Sequence, residues 1–211
     1  MTMRYQTETG PSGQAVRRMP RRLVFWAAAA IVLLLAGAFA LMAYRSSRAH
    51  PQLAFPRVHA AGGVLTVDPG ATMPSAQAIH RVLVDVDNDD VMYGKVNARL
   101  NTAAKILNLY ALAGVPAANV HMVMLFYGTG VNLILSDAAY QKKFGHANPN
   151  AQLLSQLHKA NVQMVACGQA TGHQSIAAAD VQSGVTMALS ALTAREELQA
   201  AGYGSVPVEA R

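Results

Sequence analysis

The sequence predicts an α/β fold with a mainly parallel sheet, preceded by one membrane-inserted helix. Three observations carry this. Residues 23–43 form a run of 21 residues without a charge. Beyond residue 79, short apolar runs rich in β-branched residues alternate with stretches whose apolar residues recur at helical spacing. The chemistry-bearing residues, Asp85, Asp87, Gly128, Gly130 and Cys167, all sit at the ends of predicted strands.

The N-terminal part comes first. The chain is 52% hydrophobic and only 13% charged. Residues 23–43 (LVFWAAAAIVLLLAGAFALMA) account for part of that excess. At about 1.5 Å per residue such a helix spans ~30 Å, the thickness of a bilayer core. A helix apolar on every side over this length reads as a membrane anchor. A cleaved signal peptide is the other reading, because Ala38-Phe39-Ala40 resembles an A-x-A site. Signal h-regions run about 7–15 residues, so the longer run favours an uncleaved signal anchor. Arg17, Arg18, Arg21 and Arg22 crowd its N-terminal side, whereas Arg45, Arg48 and Arg57 follow more sparsely. The positive-inside bias places the N-terminus in the cytoplasm and the body across the plasma membrane, in the periplasm of a Gram-negative host.

Four segments follow from this reading. They are a polar arm over 1–22, expected to be disordered; the anchor over 23–43; a linker over 44–78, rich in Pro and Gly; and an α/β domain over 79–211. The net charge of +6 lies entirely within residues 1–73, since acids and bases balance in the remainder. The domain therefore lacks the electrostatic footprint of a nucleic-acid binder.

Within the domain, residues 79–87 (IHRVLVDVD) read as a strand. Val96, Leu100, Ala103, Leu107 and Ala111 recur at helical spacing, with Gly114 and Pro116 as the stop. Residues 119–127 (NVHMVMLFY) are a second strand, broken by Gly128-Thr129-Gly130. Residues 131–136 are an apolar run of ambiguous type, and 137–144 a brief helix. Asn148-Pro149 reads as a cap opening a helix that carries Leu153, Leu154 and Leu157. Residues 162–166 form the next strand and run into Cys167. From residue 183 or 184 a last long helix is expected, with Val185, Ala188, Leu189 and Leu192 on one face and Gly202 as its end. Residues 205–208 read as a closing strand. Right-handed crossovers bring the C-terminal strand ends to one edge, where ligands of such folds bind.

Cys167 is the single cysteine of the chain. A lone cysteine is commonly an inert small hydrophobe. Its place at a strand end, with Gly168 following, instead suits a thiolate held by loop N–H groups. One cysteine excludes an internal disulfide and Cys-rich zinc sites. His173, six residues on, is either a partner of the thiolate or an exposed loop histidine. Asn148 and Asn150 read as helix caps. Asp85, Asp87, Asp89 and Asp90 lack the glycine and distal glutamate of a calcium loop, and are expected to cap the next helix. No metal or other cofactor is expected. Gly128-Thr129-Gly130 is too short for a dinucleotide fingerprint, and neither a Walker pattern nor a G-x-S-x-G elbow occurs.

The succession HRVLVDVDNDD, NVHMVMLFYGTGVNLILSD, AYQKKFGHANPN, VQMVACGQATG and GVTMALSALTAREELQAAGY resembles the DsrE/DsrF-like family, which includes the TusD-type sulfur-relay subunits. The resemblance covers roughly residues 79–208, and the membrane segment is an addition to it. It implies a three-layer, flavodoxin-related α/β domain that assembles as trimers or hexamers. In the relay members a cysteine at this strand end accepts a persulfide and passes the sulfur on, and the matching residue is Cys167. Gly168, Gln169 and His173, with Gly128 and Gly130, would then form the loops around the bound sulfur. The expected function is membrane-anchored handling of sulfane sulfur with a donor or acceptor protein. The alternative is a non-catalytic oligomerising or small-ligand-binding module in which Cys167 is merely packed.

Overall fold

The computed structural model describes residues 31–39, 42, 52–68, 70–92 and 96–207. The chain divides into two units, Met1–His50 and Pro51–Arg211. In the first, residues 31–39 are helical (α1) and exposed apolar side chains such as Leu33 and Phe39 cover it. Among the described residues no helix is long and apolar enough to cross a membrane. Most of the anchor expected over 23–43, and the whole arm over 1–22, lie outside the described residues.

The second unit is built on a five-stranded sheet in the order β6-β5-β4-β1-β7. Every pairing is parallel: β1 (His80–Val86) with β4 (Val120–Phe126) and with β7 (Gly204–Ser205), β4 with β5 (Gln163–Cys167), and β5 with β6 (Val185–Ala188). Apolar residues fill both faces of β4 after His121, and of β1 between Val82 and Val84, because both faces of the sheet are covered. Alternation divides them. Val82, Val84, Val86, Met122, Met124, Phe126, Met164 and Ala166 face the larger core, with Leu100, Ala103 and Leu107 of α2 (Ala98–Leu112) and Leu153, Leu154 and Leu157 of α4 (Ala151–Lys159). Leu83, Val123, Leu125 and Cys167 face a smaller core closed by Ala191, Ala194 and Leu198 of α6 (Ala191–Ala200). The result is three layers, with a small antiparallel ribbon of β2 (Val91–Met92) and β3 (Val96–Asn97) preceding α2.

Four expectations are corrected. The long helix expected from residue 183 is instead strand β6, a bend, and α6. Gly184 at φ +84° breaks the chain before the strand, and Ser190 at φ −155° is extended. The Ser190 hydroxyl accepts from Leu192 N at 3.1 Å and so starts the helix there. The apparent helical stripe was a coincidence of spacing, since Leu189 and Leu192 are both 75% exposed.

Within the stretch read as a linker, residues 54–64 pack onto the domain. Ala54 and Val64 exchange backbone hydrogen bonds of 2.7 and 2.9 Å, and Val58, Ala61 and Val64 are buried. The anchor for this arm is Asn108 of α2, itself fully buried. Its Oδ1 accepts from Arg57 N and Val58 N, and its Nδ2 donates to Val58 O and Gly62 O, all within 3.0 Å. Gly62 sits at φ +71°, and a Cβ there would lie 2.2 Å from Lys105 N, so only glycine lets the arm lie this close to α2.

The acids of β1 and the loop after it do not cap α2. Asn97 does, its Oδ1 accepting from Arg99 N at 2.9 Å. Asn148 and Asn150 are buried ties more than simple caps. Asn148 accepts from Asn150 N and donates to Leu133 O, while Asn150 accepts from Asn97 N. They join the start of α4 to the turn after β4 and to β3.

Candidate functional site

Cys167 is the last residue of β5 and the N-cap of the short helix α5 (Gly168–His173). Its side chain is 5% exposed. The sulfur accepts two backbone hydrogen bonds, from Ala170 N at 3.4 Å and from Ala191 N at 3.2 Å. One donor belongs to α5 and the other opens α6, so two helices begin against the same sulfur atom. Each N–H presents partial positive charge to the sulfur.

Gly168 explains how α6 comes so near. A Cβ on it would lie 2.8 Å from Ala188 O and 3.3 Å from Leu189 O. With hydrogen alone at that position, the bend between β6 and α6 closes down on the end of β5. Gln169 Nε2 also donates to Leu189 O at 3.3 Å across the same junction.

A cleft of about 390 Å³ opens beside the sulfur. Tyr127, Gly128 and Thr129 form the wall after β4; Gln169, Ala170, His173 and Gln174 come from α5 and its end; Ser190, Ala191, Leu192 and Arg195 come from the start of α6. The structure thus brings Cys167, Gln169, His173 and Gly128 to one cleft. It leaves Gly130 and Gly168 out of the wall. Gly130 is buried, and a Cβ on it would lie 2.1 Å from Val86 O; a Cβ on Gly128, at φ +56°, would lie 2.5 Å from Asp87 O. These two glycines let the turn after β4 cross the end of β1, and so shape the cleft from below. The segment after Cys167, expected as a loop, is helix α5. Gln169 and His173 lie four residues apart on it and share a face. No side chain among the described residues donates to the sulfur; both its bonds are to backbone.

Arg195 is the residue that sequence reasoning missed. Its Nη2 donates to Asp85 Oδ1 at 2.7 Å, and its guanidinium carbon stands 5.1 Å from the centre of the Tyr127 ring. Burial, and then the charge of Asp85, push the Tyr127 phenol up. In the sequence no motif singles Arg195 out. The usable signal is its spacing of four from Ala191, legible only once α6 is known to start after Ser190. Asp87 pairs with Arg99, whose hydrogen bond holds the carboxyl below the usual range. Asp89 accepts from Asn132 Nδ2 at 2.8 Å. Among the described residues no three His, Cys, Asp or Glu side chains group closely enough to hold a metal ion.

The sequence model of the DsrE/DsrF-like family matches residues 85–206, from the end of β1 to just past β7. The chain belongs to the DsrE/DsrF-like family. A solved structure of a protein of unknown function, MTH1491 from Methanobacterium thermoautotrophicum, is similar to this DsrE-like chain at 20% identity and a TM-score of 0.47, covering 60% of this chain and 97% of that one. A search of curated proteins gave no match. The family match takes in every wall of the cleft, while the docked arm over 52–68 lies outside it.

Proposed function

We propose that this DsrE-like protein carries sulfane sulfur as a persulfide on Cys167. The observation that supports it most is the pair of backbone N–H groups aimed at the sulfur beside an open cleft. A thiolate is the nucleophile in sulfur exchange, and a persulfide ends in an anionic sulfur; both are favoured where N–H groups converge. In the first step the Cys167 thiolate attacks the sulfane sulfur of a donor, and the donor's leaving group departs with the electron pair of the broken bond. In the second, an acceptor thiolate attacks the outer sulfur and Cys167 leaves as thiolate. We further propose that residues 23–43 anchor the chain in the plasma membrane with the domain on the extracytoplasmic side, and that the domain works as a homo-oligomer, a trimer or hexamer, alongside a donor or acceptor protein.

Loading tests the chemistry. Purified protein is treated with a sulfane-sulfur donor, and the Cys167 peptide is weighed. Gain of one sulfur mass, absent in Cys167→Ser, is the expected result. No gain under conditions that load a known sulfur carrier removes the proposal.

One observation favours a second reading. Cys167 belongs to the smaller core with Leu83, Val123, Leu125 and Ala191. If it is packing alone, a small alkylating reagent will reach it only after unfolding.

A further inference from the structure

We infer that the cleft beside Cys167 takes small anionic sulfur donors, of which thiosulfate is the simplest, and that Arg195 selects them by their charge. The inference rests on the persulfide reading above and adds the class of donor.

Ala191 and Arg195 are four residues apart on α6 and both line the cleft. The helix turn that gives its N–H to the sulfur therefore also brings a guanidinium to the same cavity. Among the described residues, Arg195 is the only wall residue with a fixed positive charge, and no carboxylate lines the cleft. Asp85, which holds the guanidinium, is not part of the wall. A guanidinium has five N–H donors in a planar fork, of which Asp85 engages Nη2. The remaining donors suit the oxygens of a sulfonate-like or carboxylate group. The Tyr127 ring, its centre 5.1 Å from the guanidinium carbon, gives the group a second contact beside Asp85. The cavity of about 390 Å³ has room for a small molecule beside the thiol.

With thiosulfate the step balances. The Cys167 thiolate attacks the outer, sulfane sulfur, and a bond forms between the two sulfurs. The bond from that sulfur to the sulfonate sulfur breaks, and sulfite departs with its electron pair. Cys167 is left as a persulfide anion. Three negative charges enter and three remain, and no proton or external oxidant is needed. Arg195 would hold the oxygens of the group that leaves as sulfite.

The test is charge selectivity at one thiol. Iodoacetate and iodoacetamide react through the same carbon, and differ in a carboxylate against a neutral amide. The ratio of their rate constants at Cys167 is measured by peptide mass in the full-length protein. A general loosening of the fold changes both rates and largely cancels in the ratio. Arg195→Gln is expected to lower the iodoacetate-to-iodoacetamide ratio by about five-fold or more at low salt, and Arg195→Lys to restore most of it. A ratio unmoved by Arg195→Gln overturns the inference, even where thiosulfate still loads Cys167. A ratio that falls as expected while no donor adds sulfur leaves charge selection standing and removes the persulfide reading. A native Cys167 inert to both reagents overturns both.

Discussion

The sulfur of Cys167 and the backbone N–H of Ala191 lie 3.2 Å apart, although 24 residues separate them in the chain. Neither residue makes this contact by local structure. It exists because β6 pairs with β5, so that Cys167 stands opposite Ala188, and because the chain bends at once into α6. Gly168 supplies the remaining condition, the absence of a side chain where the bend passes.

That condition is testable by the smallest possible change. Gly168→Ala places a methyl group 2.8 Å from Ala188 O, and the obstacle is backbone, which cannot swing aside. Overpacking of this kind costs ~1–3 kcal/mol. Urea unfolding is expected to show a loss in that range, together with altered alkylation kinetics at Cys167. Wild-type stability and unaltered kinetics would mean that the junction is not tightly packed.

The arm over 52–68 gives a second prediction. Asn108→Ala removes the acceptor of Arg57 N and Val58 N and the donor to Val58 O and Gly62 O. Leaving a buried group unsatisfied costs ~1–3 kcal/mol. Limited proteolysis of Asn108→Ala is expected to cut within residues 52–68 well before the rest of the domain. Asn108→Asp, which keeps the acceptor and loses the donor, should be cut at a rate no slower than wild type. Equal resistance in all three proteins would refute the anchoring role.

Asp87 gives a pH dependence. The hydrogen bond from Arg99 lowers its folded pKa below the ordinary aspartate value of about 3.9. The unfolded chain therefore binds this proton more readily than the folded one. The contribution is present above the unfolded pKa and is lost as pH falls through the folded value. Its size is modest, because Asp87 is 40% exposed and solvent screens the pair. Denaturation midpoints from pH 5 down to pH 2 are expected to fall less steeply in Asp87→Asn than in wild type. Identical slopes would show that the pair contributes nothing to acid stability.

Much of the scaffold was readable from residues that need no distant partner. HRVLVDV, VHMVMLF and QMVAC are each dominated by apolar residues, with polar residues chiefly at their starts, and all three are central strands of the sheet. Leu100, Ala103 and Leu107 repeat at helical spacing because α2 buries one face. The edge strand β6 was not readable. Its four residues, VTMA, also satisfy a helical spacing with Leu189 and Leu192, and only pairing with β5 decides between the two. Nor could the sequence show that Asn108, a polar residue on the buried face of α2, holds a Pro/Gly-rich arm 50 residues upstream. In the cleft, Cys167 stood out as the sole cysteine at a strand end. Arg195 did not, because its neighbours Asp85 and Tyr127 are brought to it by tertiary structure alone.

The most direct test of the central claim is the sulfur state of Cys167 in protein taken from its native host. Cells are lysed into an alkylating reagent that traps persulfides, and the Cys167 peptide is weighed before and after reduction. The account predicts a fraction of the peptide that carries one additional sulfur between the cysteine and the trapping group, and loses it on reduction. A Cys167 peptide found wholly as simple alkylated thiol, in cells where other persulfides are trapped, would contradict it.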